Sequence, residues 1–541
     1  MGYGKQPETL PAARRLTAQC PVSLAAQTYR CAGSSGSVGW LGAVRPAGGH
    51  TWFVAHANKP DPRDPRMLRT EAPLLDAWLR STAKAAAGAL TPMSLPGHKL
   101  RTDLLGTVVA SDAPLSDGLD STEHADTLLA DAERRASELW GADWCRFSVS
   151  GSTHGNQALA LAVGTPGQKV IVSRMLHRSL LLGLVLAGLR PVWVHPEIDA
   201  DYGLPRAVAV NELRAALVAH PDACAVFLGD PSYVGTIGDM AEQAAAAHEA
   251  GVPLVIDAAW AAHLGFHPDM PPHALAAGAD AMVTSAHKAL PSYSQGAIVL
   301  ARTGLLDRSR LDRAFEATHT TSAAGSIMAS IDAARALLAR DGKELCAKLL
   351  RSATAAKERL GQVPGVTVLD GPGVEPTKLV VLLAGTGAHG YAVRADLAAA
   401  GMPVEMADRD MIVPVITIAD DEEDVVRFTE ACTAAIERHR SASRMPAAAA
   451  FWTLAPETVL SPREAFFAPH ETVLAVAAVG RISAELVAPL PPGVPVLAPG
   501  ERVTSDALDA LSEVLSEGGR IAYAADPTLA TLQVVSKSSR M

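Results

Sequence analysis

Between residues 169 and 301 the chain repeats one pattern: a short uninterrupted apolar run, a polar turn, then a helical stretch. The runs are KVIVS (169–173), PVWVH (191–195), CAVFL (224–228), PLVIDAA (253–259), DAMVTS (280–285) and GAIVLA (296–301). HRSLLLGLVLAGL (177–189), VNELRAALVAH (210–220) and MAEQAAAAHEAG (240–251) are the helical stretches between most of them. Strands that are apolar on both sides must be covered on both sides, and helical crossovers between parallel strands do this. The pattern predicts an α/β fold built on a mostly parallel sheet. The last two runs have no helix between them, which allows an antiparallel pairing there.

A chain of 541 residues is too long for one core. We expect an irregular leader (1–66), a helical segment (67–93), a large α/β domain (94–330), a connecting helix with a small α+β domain (331–445) and a C-terminal α+β extension (446–541). The connecting helix begins in SIMASIDAARALLAR (326–340). GVTVLD (365–370), TKLVVLLA (377–384), the segment 389–400, MIVPVITI (411–418) and DEEDVVRFTEACTAAIERHR (421–440) read as strand, strand, helix, strand, helix. An alanine run after Met445 reads as a linker, and a Pro/Gly-rich segment with short strands follows.

The leader differs in charge from the rest. It holds eight basic and three acidic residues, against 47 and 57 in the whole chain. It also lacks helical or strand periodicity. Three readings fit it: a disordered arm, an upstream frame translated from an early start with Met67 as the true start, or a targeting peptide without the usual apolar region.

The net charge of −10 argues against a general nucleic-acid partner. Six scattered cysteines with no Cys-x-x-Cys pair predict neither a disulfide framework nor a metal centre. No run of about 18 uncharged apolar residues is present to span a bilayer. The expectation is a cytoplasmic enzyme with no membrane partner.

Three features fall at strand ends or at loop-to-helix junctions, the edge where ligands bind in open α/β sheets. In SVSGSTHGNQA (148–158), Ser152, Thr153 and the N–H groups of the helix start can form an anion pocket. An ordinary Ser/Thr helix cap would read the same way. In VIDAAWAAHLGFH (255–267), Asp257 closes an apolar strand, where a carboxylate is costly unless a cation or donors face it. In TSAHKALPSYSQGA (284–297), Lys288 follows a strand directly, flanked by Ser285 and His287. Lysine is scarce here, with 11 Lys against 36 Arg. A lysine at such a site is a candidate Schiff-base nucleophile, or else a solvated surface residue. Together the three meet the needs of one cofactor, pyridoxal 5′-phosphate (PLP): a phosphate cup, a partner for the pyridine nitrogen and an imine lysine. His177 opens a helix after KVIVS and can stack on the pyridine face. Trp260 and His263 are candidate walls of the site.

The chain resembles the Orn/Lys/Arg decarboxylase family, the bacterial basic-amino-acid decarboxylases of the aspartate-aminotransferase fold. The resemblance runs from about Glu71 to near the C-terminus. It is carried by LPGHK (95–99), GSTHGN (151–156), HRS (177–179), DPSYVGT (230–236), DAAWAAH (257–263), SAHK (285–288), TTSAAGSIMASID (320–332), SPREAFF (461–467) and GRISAELVAPLPPGVPVLAPGE (480–501). It implies a PLP-dependent transferase-like large domain, with Lys288 bonded to the cofactor, Asp257 on the pyridine nitrogen and His177 stacked on the ring. It also implies that Ser152, Thr153, Ser285 and His287 hold the phosphate and nearby groups, and that Trp260 approaches the ring hydroxyl. Thr321 and Ser322 would reach the phosphate of a neighbouring subunit, giving a homodimer, or a dimer of dimers, with shared sites. Where the family commonly has two glycines after PGHK, this chain has Leu100 and Arg101. HRS stands for HKS, Ala258 for an acidic residue, and Gly229-Asp230 precedes PSY.

The implied reaction is decarboxylation of arginine, lysine or ornithine to the amine and CO₂. Rival readings are an aminotransferase or oxidase acting on a basic amino acid, or a PLP-binding protein without turnover. Glu405 is the candidate partner for the distal cation of the substrate. Arg463, in the C-terminal segment, is a further candidate contributor.

Overall fold

The computed structural model describes residues 68–90, 93, 95–112, 127–446, 452–490 and 493–537. The expectations for residues 1–66 and for the alanine run after Met445 lie outside the described residues.

Seven strands make the central sheet: β1 (Trp144–Ser148), β2 (Lys169–Ser173), β3 (Arg190–Val194), β4 (Ala223–Gly229), β5 (Leu254–Asp257), β6 (Ala281–Ser285) and β7 (Ala297–Ala301). Their order is β1-β7-β6-β5-β4-β2-β3. The pairings from β3 through β6 are parallel. β7 runs antiparallel to both β6 and β1. The link from β6 to β7 carries only the four-residue helix Ala286–Ala289, too little for a parallel crossover.

The apolar runs alternate between two cores, as the period of a strand demands. Val170 and Val172 of β2, Phe227 of β4, Val255 of β5 and Val283 of β6 point to one side. There they meet Leu159 of the helix Gly151–Val163 and Leu180 and Leu184 of the helix Arg178–Ala187. Ile171, Val226, Leu228, Ile256 and Met282 point to the other side. That core is closed by Trp140, Leu213, Ala244 and Ile331, from four further helices. Gly155 lets the helix Gly151–Val163 lie directly on the sheet: a Cβ there would sit 2.4 Å from Val283 Cγ2 and 2.8 Å from Val299 Cγ2.

The helix Gly325–Gly361, 37 residues long, leads to a second sheet. It comprises β8 (Thr367–Val368), β9 (Val381–Leu382), β10 (Met406–Ala407) and β11 (Met411–Val413), all paired antiparallel in the order β10-β11-β9-β8. Its strands are shorter than the apolar runs predict. Pro414 has no N–H and ends β11. The Lys378 N–H closes a turn on the Glu375 carbonyl at 3.1 Å, so the ladder starts only at Val381. β10 was not expected, because GMPVEMADRD contains no apolar run.

In the C-terminal segment β12 (His470–Leu474) pairs antiparallel with β15 (Thr531–Val535), and β13 (Ala488–Leu490) with β14 (Arg520–Ala522). No helix among the described residues is long and apolar enough to cross a membrane.

Candidate active site

A cavity of about 480 Å³ opens at the carboxyl ends of the parallel strands. Ser173, Gly229, Asp257 and Ser285, the last residues of β2, β4, β5 and β6, all line it. It is also lined by Ser152, Thr153, His177, Trp260, His287 and Lys288. All of these but Ser173 and Gly229 are expected from the sequence to share one site, and the fold brings them together.

A backbone turn and two side-chain contacts set the geometry. The chain leaves β1 and turns at Gly151, with φ +71°, into a 13-residue helix whose first turn carries Ser152 and Thr153. The free N–H groups and the dipole of that turn favour an anion. The Ser152 hydroxyl lies 2.5 Å from the Ser285 hydroxyl, joining the helix start to the end of β6. His287 Nδ1 donates to the Gly296 carbonyl at 2.9 Å, which fixes its ring.

Asp257 is held from two sides. Asn156 Nδ2 donates to its Oδ2 at 2.7 Å, and the Ala259 N–H donates to its Oδ1 at 3.2 Å. Asn156 also donates to the Ser179 hydroxyl at 3.0 Å. That hydroxyl in turn lies 2.7 Å from His177 Nδ1, which also accepts the Ser179 N–H at 3.3 Å. His177 Nδ1 is therefore an acceptor, and its proton belongs on Nε2. Burial pushes the His177 imidazole below its ordinary value; the Asp257 carboxylate opposes this, and Lys288 and Arg178 add to it. Burial likewise lowers Lys288, opposed by Asp257 and Glu405. The Lys288 ammonium stands 4.1 Å from the centre of the Trp260 ring, a cation–π distance.

Other expectations fall elsewhere. His263 is not among the lining residues; its Nε2 bonds the Thr377 hydroxyl at 3.0 Å. Thr321 and Ser322 are exposed, in the turn before the helix Gly325–Gly361, and do not line the cavity. Glu405 is exposed and outside the lining, but its charge acts on both Lys288 and Lys378. Arg463 does not reach the cavity. It donates to the carbonyls of Val185 and Leu186 at 3.0 and 2.8 Å, capping the end of the helix Arg178–Ala187 remote from His177. The C-terminal segment instead contributes Trp452 and Val494, packed in one cluster with Met175 and Tyr233 of the cavity wall.

Sequence reading missed four residues. Asn156 and Ser179 lay inside the quoted motifs GSTHGN and HRS without a role. Tyr233 lines the cavity with a buried hydroxyl that has no hydrogen-bond partner among the described residues. Lys378 is buried, with its ammonium 3.7 Å from the centre of the Trp260 ring. The scarcity of lysine was the one signal that could have found it.

This fold, with an amine, a fixed carboxylate and an anion-favouring helix start in one cavity at the sheet edge, defines an α/β enzyme. The profile of the Orn/Lys/Arg decarboxylase major domain matches residues 98–407, and that of the family's C-terminal domain matches residues 446–517. An arginine decarboxylase of Bacillus subtilis (strain 168) is 30% identical over 468 residues, covering 82% of this chain and 94% of that protein. One of Halalkalibacterium halodurans is 30% identical over 460 residues, with coverage of 82% and 94%. The solved constitutive lysine decarboxylase of Escherichia coli superposes with a TM-score of 0.71 at 19% identity, over 87% of this chain and 83% of that one. That likeness bears on the fold. The chain belongs to the Orn/Lys/Arg decarboxylase family and is a decarboxylase of a basic amino acid.

Proposed function

We propose that the cavity binds PLP and that the enzyme uses it to remove the α-carboxylate of arginine, releasing the amine and CO₂. One observation carries the reading: Lys288, the Asn156-held Asp257 and the Ser152–Thr153 helix start line one cavity. This donor set fits the aldehyde, the pyridine nitrogen and the phosphate of PLP. When bound, the cofactor supplies an electron sink for the carbon that loses its carboxylate.

The residues do the rest. Lys288 offers the amine that bonds the cofactor, and burial raises the share of it that is free of its proton. Asp257, fixed by Asn156 and the Ala259 N–H, would hold a proton on the pyridine nitrogen. Ser152, Thr153, Ser285 and His287 would bind the phosphate. His177, neutral and tied to Ser179, would cover the ring face and keep water from it. Trp260 would approach the ring hydroxyl. Arginine is favoured over lysine and ornithine because two relatives that are 30% identical to the chain over more than four-fifths of its length are named arginine decarboxylases. Glu405 is proposed to take the distal cation. The exposure of Thr321 and Ser322 supports their serving the site of a second copy in a homodimer.

Incubating the protein with PLP and a panel of arginine, lysine and ornithine tests this. Arginine should give its amine and CO₂ fastest, and Lys288→Ala should abolish turnover. A keto acid as product, or turnover retained in Lys288→Ala, would overturn the reading.

A further inference from the structure

Two ammonium groups converge on Trp260. Lys288 Nζ is 4.1 Å and Lys378 Nζ 3.7 Å from its ring centre, which bounds their separation at about 8 Å. Lys378 is 7% exposed, and its ammonium has no hydrogen bond or ion pair among the described residues. Such a charge is costly unless the fold is built to hold it.

The fold is built that way. Gly235, at φ +77°, leaves room for the lysine stem: a Cβ there would sit 2.4 Å from Lys378 Cγ. The loop before Lys378 is tied to the Gly235 turn by Ile237 N–H to the Gly373 carbonyl at 2.9 Å and Glu375 N–H to the Gly235 carbonyl at 2.8 Å. The nearest carboxylate in sequence is engaged elsewhere. Glu375 Oε1 accepts both the N–H and the hydroxyl of Thr377 at 2.7 Å, with His263 Nε2 at 3.7 Å. These bonds outweigh burial and keep Glu375 below its ordinary value.

We propose that Lys378 is a positioning residue whose charge, fixed against the Trp260 ring, eases loss of a proton from the Lys288 amine. Besides each other, the charged groups that act on the two lysines are Glu375 and Glu405 for Lys378, and Asp257 and Glu405 for Lys288. His177 also faces Lys288 and is pushed toward its neutral form. At about 8 Å and an effective dielectric near 20, one charge lowers the proton affinity of the other by roughly tenfold to thirtyfold. The coupling is reciprocal. Burial first, and then the Lys288 charge, bring Lys378 down to about 8, against Glu375 and Glu405.

The purpose of this arrangement rests on Lys288 being the cofactor-bonding amine, but its test does not. The full-length chain, stripped of cofactor, is treated with a small acylating reagent, and labelling of Lys288 is followed by mass spectrometry. At pH 7, Lys378→Met should slow Lys288 labelling about tenfold, while Lys378→Arg, which keeps the charge, should leave it within about twofold. The gap between wild type and Lys378→Met should close above about pH 9, where Lys378 itself is neutral. Unchanged labelling in Lys378→Met, equal slowing in the Arg variant, or a gap that persists at high pH would overturn the proposal. Borohydride trapping of PLP on the wild type separately reports whether Lys288 is the residue it bonds.

Discussion

Arg174 and Glu501 join the end of β2 to the C-terminal segment through a buried ion pair, with side chains 5% and 1% exposed. The contact is bidentate, Nη1 to Oε1 at 2.5 Å and Nη2 to Oε2 at 2.9 Å. Arg174 Nη2 also donates to the Val496 carbonyl at 2.9 Å, and the Ala498 N–H donates to Glu501 Oε2 at 2.8 Å. The guanidinium lies 4.9 Å from the centre of the Trp193 ring. Glu501→Leu would leave a guanidinium without a counter-charge in a dry interior and the Ala498 N–H without an acceptor. Removing one partner of a buried pair costs about 3–5 kcal/mol, of which the orphaned N–H accounts for about 1–3. Replacing both residues, Arg174→Met with Glu501→Leu, removes the unpaired charge and should bring the loss below about 2 kcal/mol. Urea unfolding followed by tryptophan fluorescence measures both. A single variant that loses less than about 1 kcal/mol, or a double variant as unstable as the single, would refute the argument. The pair also matters to the site, because its neighbours Ser173 and Met175 line the cavity.

Asn156→Ala removes the 2.7 Å bond to Asp257, a contact to a carboxylate worth about 1.5–3 kcal/mol. PLP affinity, read by absorbance titration, should fall about tenfold or more, and an unchanged Kd would count against the role given to Asp257. Leu100 has φ +59°, a conformation that costs a branched side chain about 1–2 kcal/mol. Leu100→Gly should therefore raise the unfolding free energy by about 1 kcal/mol after glycine's greater entropy loss is counted, and a fall would contradict the strain. Burial lowers His154 to about 4, while its ring bonds Ser148 and the Phe315 carbonyl. Its folded value lies below its unfolded one, so its contribution is full above about pH 6.5 and is lost as pH falls toward 4. His154→Gln should flatten the decline of Tm over that window; parallel curves for the two proteins would exclude the assignment.

The central sheet was legible because its strands are apolar on both sides, and period-two alternation between two cores leaves few alternatives. Asp257 was legible because it ends such a strand, and Lys288 because it follows one within three residues, where burial demands a reason. The partners of Asp257 were not. Asn156 lies 101 residues from it in sequence and meets it only because β1 and β5 belong to one sheet. The small sheet was overread because apolar runs do not reveal where a proline or a turn ends the ladder. Arg463 was misread for a related reason. A motif places a residue in the family pattern but does not say at which end of a helix it docks.

Lysine scarcity can be carried one step further. In a chain with 36 arginines, arginine serves most surface and ion-pair positions. Arginine cannot lose its proton in a protein, whereas a buried lysine can. Lysine is therefore required where a cation must become a free amine or must respond to one that does. Burial alone does not identify such positions: Lys357 is 8% exposed, but Asp370 holds it at 2.7 Å in an ordinary ion pair. Lys288 and Lys378 differ in having an indole ring, not a carboxylate, against the ammonium. A ring attracts the cation without fixing its proton as an anion would. This distinction, invisible in the sequence, separates the two lysines for which we propose a chemical role from the one that an ion pair explains.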